Sequence, residues 1–95
     1  MRIVVLDKIE ERHPDMSKES AAQAWASSVA RMPDFSSGNP ERYIAVGFDR
    51  NGKEIEIVAI RQSIDTWVII HAQSHAKATI KRKLGLLGDK DDKAR

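Results

Sequence analysis

Between residues 42 and 72 three β-rich runs follow one another with only two short breaks, and this triplet limits the fold more than any other feature. The runs cover residues 42–48, 53–61 and 66–72. Asp49-Arg50-Asn51-Gly52 forms the first break, and Asn-Gly is the pair that tight hairpin turns favour. Residues 62–65 form the second. Side chains alternate across a strand, so Glu54, Glu56, Val58 and Ile60 share one face of the middle run. Ile55, Ile57, Ala59 and Arg61 share the other. The third run is apolar on both faces through Trp67, Val68, Ile69 and Ile70, which predicts a central position in the sheet.

The flanks complete the pattern. Residues 2–6 (Arg-Ile-Val-Val-Leu) read as a short strand near the sheet's edge. His13-Pro14-Asp15 breaks the chain, because proline steers the residue before it away from helix. Ser17 then suits an N-cap, and Glu19 suits the positive end of the helix dipole. A helix is expected over 18–32, with Ala21, Ala22, Trp25, Val29 and Met32 on one face, ended by Pro33. Residues 34–40 read as a loop. A last helix is expected over 74–84, striped by Ala76, Ile80 and Leu84, with Gly85 and Gly88 as stop signals. The expectation is one α+β domain over 1–88, of order β-α-β-β-β-α, with helices against an antiparallel sheet of about four strands. Residues 89–95 are polar apart from Ala94 and are expected to fray.

Composition narrows the function. With 95 residues the chain makes one domain, and with 41% hydrophobic and 32% charged residues it is an ordinary globular mixture. It contains no cysteine, so disulfide, thiolate and cysteine–zinc chemistry are excluded. The start of the chain does not have the form of a signal peptide, and no apolar run reaches the length of a membrane span. The expected setting is cytoplasmic. Net charge is only +2, but its distribution is uneven. Residues 73–88 hold Lys77, Lys81, Arg82 and Lys83 without a carboxylate, and His71 and His75 adjoin them.

Three segments together resemble a known family. They are Glu11-Arg12-His13 before the capped helix, the run from Glu41 to Gly52 (Glu-Arg-Tyr-Ile-Ala-Val-Gly-Phe-Asp-Arg-Asn-Gly), and Val68-Ile69-Ile70-His71-Ala72 leading into a basic helix. In order and spacing they are similar to the BrnT-like toxins of the RelE-type ribonuclease superfamily, over about residues 1–87. The resemblance implies a RelE-like microbial ribonuclease fold. It also implies RNA cleavage that slows translation, and neutralisation by an antitoxin of a type II toxin–antitoxin system, which in such systems usually carries its own DNA-binding domain and can be a ribbon-helix-helix protein. The chain departs from the family where it has Pro14 after His13, and where Gln73 stands at a position that is often arginine.

RNA cleavage without a metal needs a base for the 2′-hydroxyl, an acid for the leaving oxygen and positive charge at phosphorus. Histidine is the natural proton carrier near neutral pH. His71, His75, Arg61 and His13 are the candidate catalytic residues, with Arg61 offering a planar fork to phosphate. Lys77, Lys81, Arg82 and Lys83 are the candidate RNA contacts. No metal-ligand spacing is present and no cofactor is expected. Plainer roles stand beside these: a satisfied imidazole, a solvated helix face, an arginine lying over the sheet. Trp25, Trp67 and Tyr43 read as packing residues rather than base-stacking ones. The alternative function is a non-catalytic module that binds RNA or protein, favoured by Gln73 and the mild net charge. A DNA-binding regulator fits less well, since no helix-turn-helix pair is legible. An exposed edge strand offers a route to self-association or to an antitoxin segment.

Overall fold

A computed structural model describes residues 1–87. The elements are β1 (Arg2–Val5), α1 (Lys8–Arg12), α2 (Lys18–Ala26), β2 (Ala30–Pro33), β3 (Arg42–Phe48), β4 (Glu54–Ser63), β5 (Thr66–Gln73) and α3 (Ala78–Lys83), with a single 3-10 turn at Phe35–Ser37. The chain is therefore α+β, as expected. The sheet differs from expectation in two respects. It has five strands in the order β1-β5-β4-β3-β2, and it is mixed, because β1 runs parallel to β5 while the other pairings are antiparallel.

The fifth strand comes out of the segment expected to be helical. Ser17 caps α2 as anticipated, its hydroxyl accepting from the Ser20 amide at 3.0 Å. The helix stops at Ala26, where the Ser27 hydroxyl oxygen lies 2.9 Å from each of two acceptors, the Gln23 carbonyl of its own helix and the Phe48 carbonyl of β3, between which its single proton is shared. From Ala30 the backbone pairs with β3, Ala30 opposite Val46 and Met32 opposite Ile44. The open edge of β3 thus outweighs a helical periodicity that formally continues to Met32, and Val29 is exposed rather than packed. Residues 8–12 form a short helix between β1 and the break at Pro14. The ion pair of Lys18 with Asp7 ties its start to α2; this contact lowers the Asp7 carboxyl and raises the Lys18 ammonium from their ordinary values. The last helix is shorter than expected: the chain bends at Ser74 and His75, Lys77 is extended, and α3 begins at Ala78. The polar tail at 89–95 lies outside the described residues.

The core lies on one face of the sheet, under α2. Ala21, Ala24 and Trp25 of the helix meet Ala45, Ile55, Ile57, Ala59 and Ile69 of the strands. Trp25 is fully buried against Trp67, at 4.8 Å between ring centroids, and Tyr43 meets the edge of Trp67. Helix and sheet approach so closely that a Cβ on Gly47 would stand 1.9 Å from the Ala24 carbonyl oxygen, so only glycine fits there. Among the described residues no helix is long and apolar enough to cross a membrane.

The opposite face carries Ile44, Val46, Glu54, Glu56 and Val58, with α3 beside it. One irregularity controls what else points there. Ala59 pairs with Ile69 and Val58 pairs with His71, so Ile70 is an extra residue on β5. Strict alternation from the buried Ile69 would send His71 into the core. The bulge instead turns both Ile70 and His71 to the open face and returns Ala72 to the core.

Candidate functional site

Glu56 anchors the site. It is only 4% exposed, yet it lies on β4's open face with two polar partners. Its Oε2 is 3.0 Å from His71 Nε2. Its Oε1 accepts the Lys77 amide at 2.8 Å. A nearly buried carboxylate is costly unless hydrogen-bonded, and these donors offset that cost. Glu54, two residues earlier on the same face, repeats the arrangement: Oε1 accepts the Ala76 amide at 3.2 Å, and Oε2 pairs with Lys81 Nζ at 2.9 Å. Two strand carboxylates therefore clamp residues 76 and 77 and, through Lys81, α3 against the sheet.

With Nε2–H donated to Glu56, His71 presents Nδ1 with its lone pair as the site for proton exchange. The side chain is one-third exposed, so the ring is held from behind and open in front. His13, at the C-terminal end of α1, faces it with ring centroids 6.1 Å apart and planes nearly perpendicular. Two adjoining hollows meet at His71. The larger, about 440 Å³, lies along the open face, with Lys8, Arg12, Arg42, Lys77 and Lys83 in its wall and, among the described residues, Asp34 and Glu56 as its acids. The smaller, about 170 Å³, lies between α1 and β5 and contains both His13 and His71. Asp34 is occupied by Arg42 at 3.1 Å and Glu56 by His71, so the remaining side chains give the groove a net positive character.

The structure brings together some of the expected site residues and separates others. His71, His13, Lys77 and Lys83 surround the paired hollows. His75 does not: it sits in the bend before α3, exposed, and lines neither hollow. Lys81 is committed to Glu54, and Arg82 is exposed outside both hollows. The shared helical face expected for Lys77 and Lys81 is broken because Lys77 precedes the first helical turn. Arg61 does not reach this edge. It lies opposite Trp67, three residues beyond Val58 and so about 10 Å along β4, and pairs with Glu41 at 3.4 Å in a separate depression.

Several groove residues escaped the sequence reading: Glu56, Lys8, Arg12, Arg42 and Asp34. A signal for Glu56 was present, since two carboxylates shared a face with Val58 and Ile60 in a strand flanked by strands. A charge at such a position needs a partner, and the neighbouring strand carried a histidine. Among the described residues no trio of His, Asp or Glu converges as a metal-ligand set. Comparison with family models, with curated proteins and with solved structures returned no match.

Proposed function

We propose that the chain is a metal-independent endoribonuclease with a RelE-like fold, a BrnT-like toxin whose RNA cleavage slows translation and whose activity a protein antitoxin restrains. One observation carries this reading: a buried glutamate orients His71 at the floor of a cationic groove, with a second imidazole beside it. In the proposed reaction His71 Nδ1 takes the 2′-hydroxyl proton and the freed oxygen attacks the adjacent phosphorus. The bond to the 5′-oxygen breaks, and protonated His13 supplies the proton that this oxygen acquires. The products are a 2′,3′-cyclic phosphate and a 5′-hydroxyl. Lys8, Arg12, Lys77 and Lys83 offset the charge that builds on the phosphorane. Glu56 acts through His71, fixing its tautomer and orientation rather than touching the substrate.

Two observations favour the alternative of a binding module without cleavage. Gln73 supplies no cation near the groove, and Glu54 neutralises Lys81. Incubation of purified protein with single-stranded RNA, with and without a chelator, separates the readings. Cleavage should survive the chelator. His71→Ala should lower it by about 10²–10⁴-fold when assayed well below its melting range; its thermal midpoint should also fall, because Glu56 loses one of its donors. Intact RNA despite tight binding would establish the module, and cleavage undiminished in His71→Ala would remove the proposed centre.

A further inference from the structure

The cationic groove does not end at α3. Strand register sets His71, Val58, Ile44 and Met32 in one row across β5, β4, β3 and β2. Three strand spacings, about 14 Å, separate its ends. Beyond Ile44 the groove opens into a hollow of about 450 Å³ whose floor and walls are Met32, Pro33, Phe35 and Ile44. The two spaces share Asp34, Ser36 and Lys83, so one continuous trough runs from the imidazoles to β2, with an ammonium at the junction.

Phe35 gives this end its character. It is 79% exposed, although it is among the largest apolar side chains of the molecule. The backbone beneath it is firmly held. The Asp34 amide donates to the Arg42 carbonyl at 2.8 Å, and the Ser37 amide to the Asp34 carbonyl at 3.2 Å. The Asp34 carboxylate accepts from the Ser36 hydroxyl at 2.8 Å and from Arg42 Nε at 3.1 Å. An open aromatic ring on a fixed support, beside an apolar hollow and within a positively charged track, has the chemistry of a base-stacking platform for single-stranded nucleic acid. The Asp34 and Ser36 side chains lie at its rim, where the edge of a base would seek hydrogen bonds.

We infer that the hollow beside Phe35 is a nucleobase subsite, holding an unpaired base of the same RNA strand whose backbone passes His71. This rests on the RNA reading and adds to it the place where sequence preference originates. Discrimination among bases belongs to this subsite, and the chemistry belongs to the imidazoles.

The test uses a short single-stranded RNA made uncleavable by 2′-O-methyl groups, and a set of copies each lacking one base. Affinity is measured for the parent protein and for Phe35→Ala, Phe35→Leu and Phe35→Trp. In the parent, removal of one particular base should weaken binding by about tenfold, in line with stacking on a single aromatic ring. Phe35→Ala and Phe35→Leu should bind the intact RNA about as weakly as the parent binds that abasic copy, and should be insensitive to the same removal. Phe35→Trp should behave as the parent. If all three variants bind every oligonucleotide as the parent does, or lose affinity equally at every position, the hollow serves another ligand, such as an apolar segment of a protein partner. The subsite is then overturned while the RNA reading stands. If the parent binds none of the oligonucleotides, both fall.

Discussion

At the scale of single residues, the molecule uses carboxylates as fasteners. Glu54 and Glu56 hold the segment before α3, and Asp49 does the same for the hairpin between β3 and β4. Asp49 Oδ1 accepts the Lys53 and Asn51 amides, each at 2.9 Å, and Oδ2 accepts the Ser20 hydroxyl at 3.0 Å, which joins the turn to α2. The Lys53 amide is the largest cause of a carboxyl held below the usual range; burial works against it, and Ser20, Asn51 and the Lys53 charge add to it. Because the folded value lies below the unfolded one, the stability this group contributes is complete above the unfolded pKa, about 3.9. It is lost as pH falls through the folded value. Asp49→Asn should therefore lower the thermal midpoint at neutral pH, with the gap from the parent closing in acid strong enough to protonate the carboxyl in the folded protein. Melts at the two pH values decide this, and a gap of constant size would mean the turn does not depend on an ionised carboxylate. His71 and the cations around it were legible as residue types. Glu56 was not legible as the partner of His71, because that role depends on which strand lies beside which and on the face each side chain takes.

At the scale of elements, the bulge in β5 sets the site. Its position at Ile70 could not be read from Trp-Val-Ile-Ile-His-Ala, where apolar residues occupy both faces and alternation gives no phase. The same limitation produced the overlong helix: Ala-rich periodicity through Met32 carries no information about an unpaired β3 edge. Deletion experiments read the bulge directly. Removing Ile70 leaves His71 opposite Val58 and Ala72 opposite Ile57, so the shortened strand is expected to fold cooperatively and to keep its imidazole in the groove. Removing Ala72 instead turns Gln73 toward the buried face and should cost about 2–4 kcal/mol, from the lost methyl and an unsatisfied amide. Urea denaturation of the two deletions should rank them in that order. Equal losses would mean that the extra residue is not accommodated as a bulge.

At the scale of the whole molecule, the +2 net charge conceals a division between the two faces. The α2 face is closed by packing, whereas the open face gathers Lys8, Arg12, Lys77 and Lys83 from two separate stretches of chain. Binding single-stranded RNA through those four cations should make log affinity fall against log salt with a slope of about −3. Replacing Lys83 by alanine should make the slope shallower by about 0.7. A slope near zero would take phosphate contacts out of the groove. The α+β class and four of the five strands were readable from the sequence, since turn chemistry and alternation are local. The parallel partnership of β1 and β5 was not, because it joins residues at opposite ends of the sequence.

That partnership also has a consequence in time. Arg2 lies beside Thr66 and Val5 beside Ile69, so Lys8, Arg12 and His13 meet His71 only once the penultimate element has been synthesised and has entered the sheet. A polypeptide still emerging from the ribosome holds one imidazole without the other. The two imidazoles come together only after β5 has been made and has found its place beside β1.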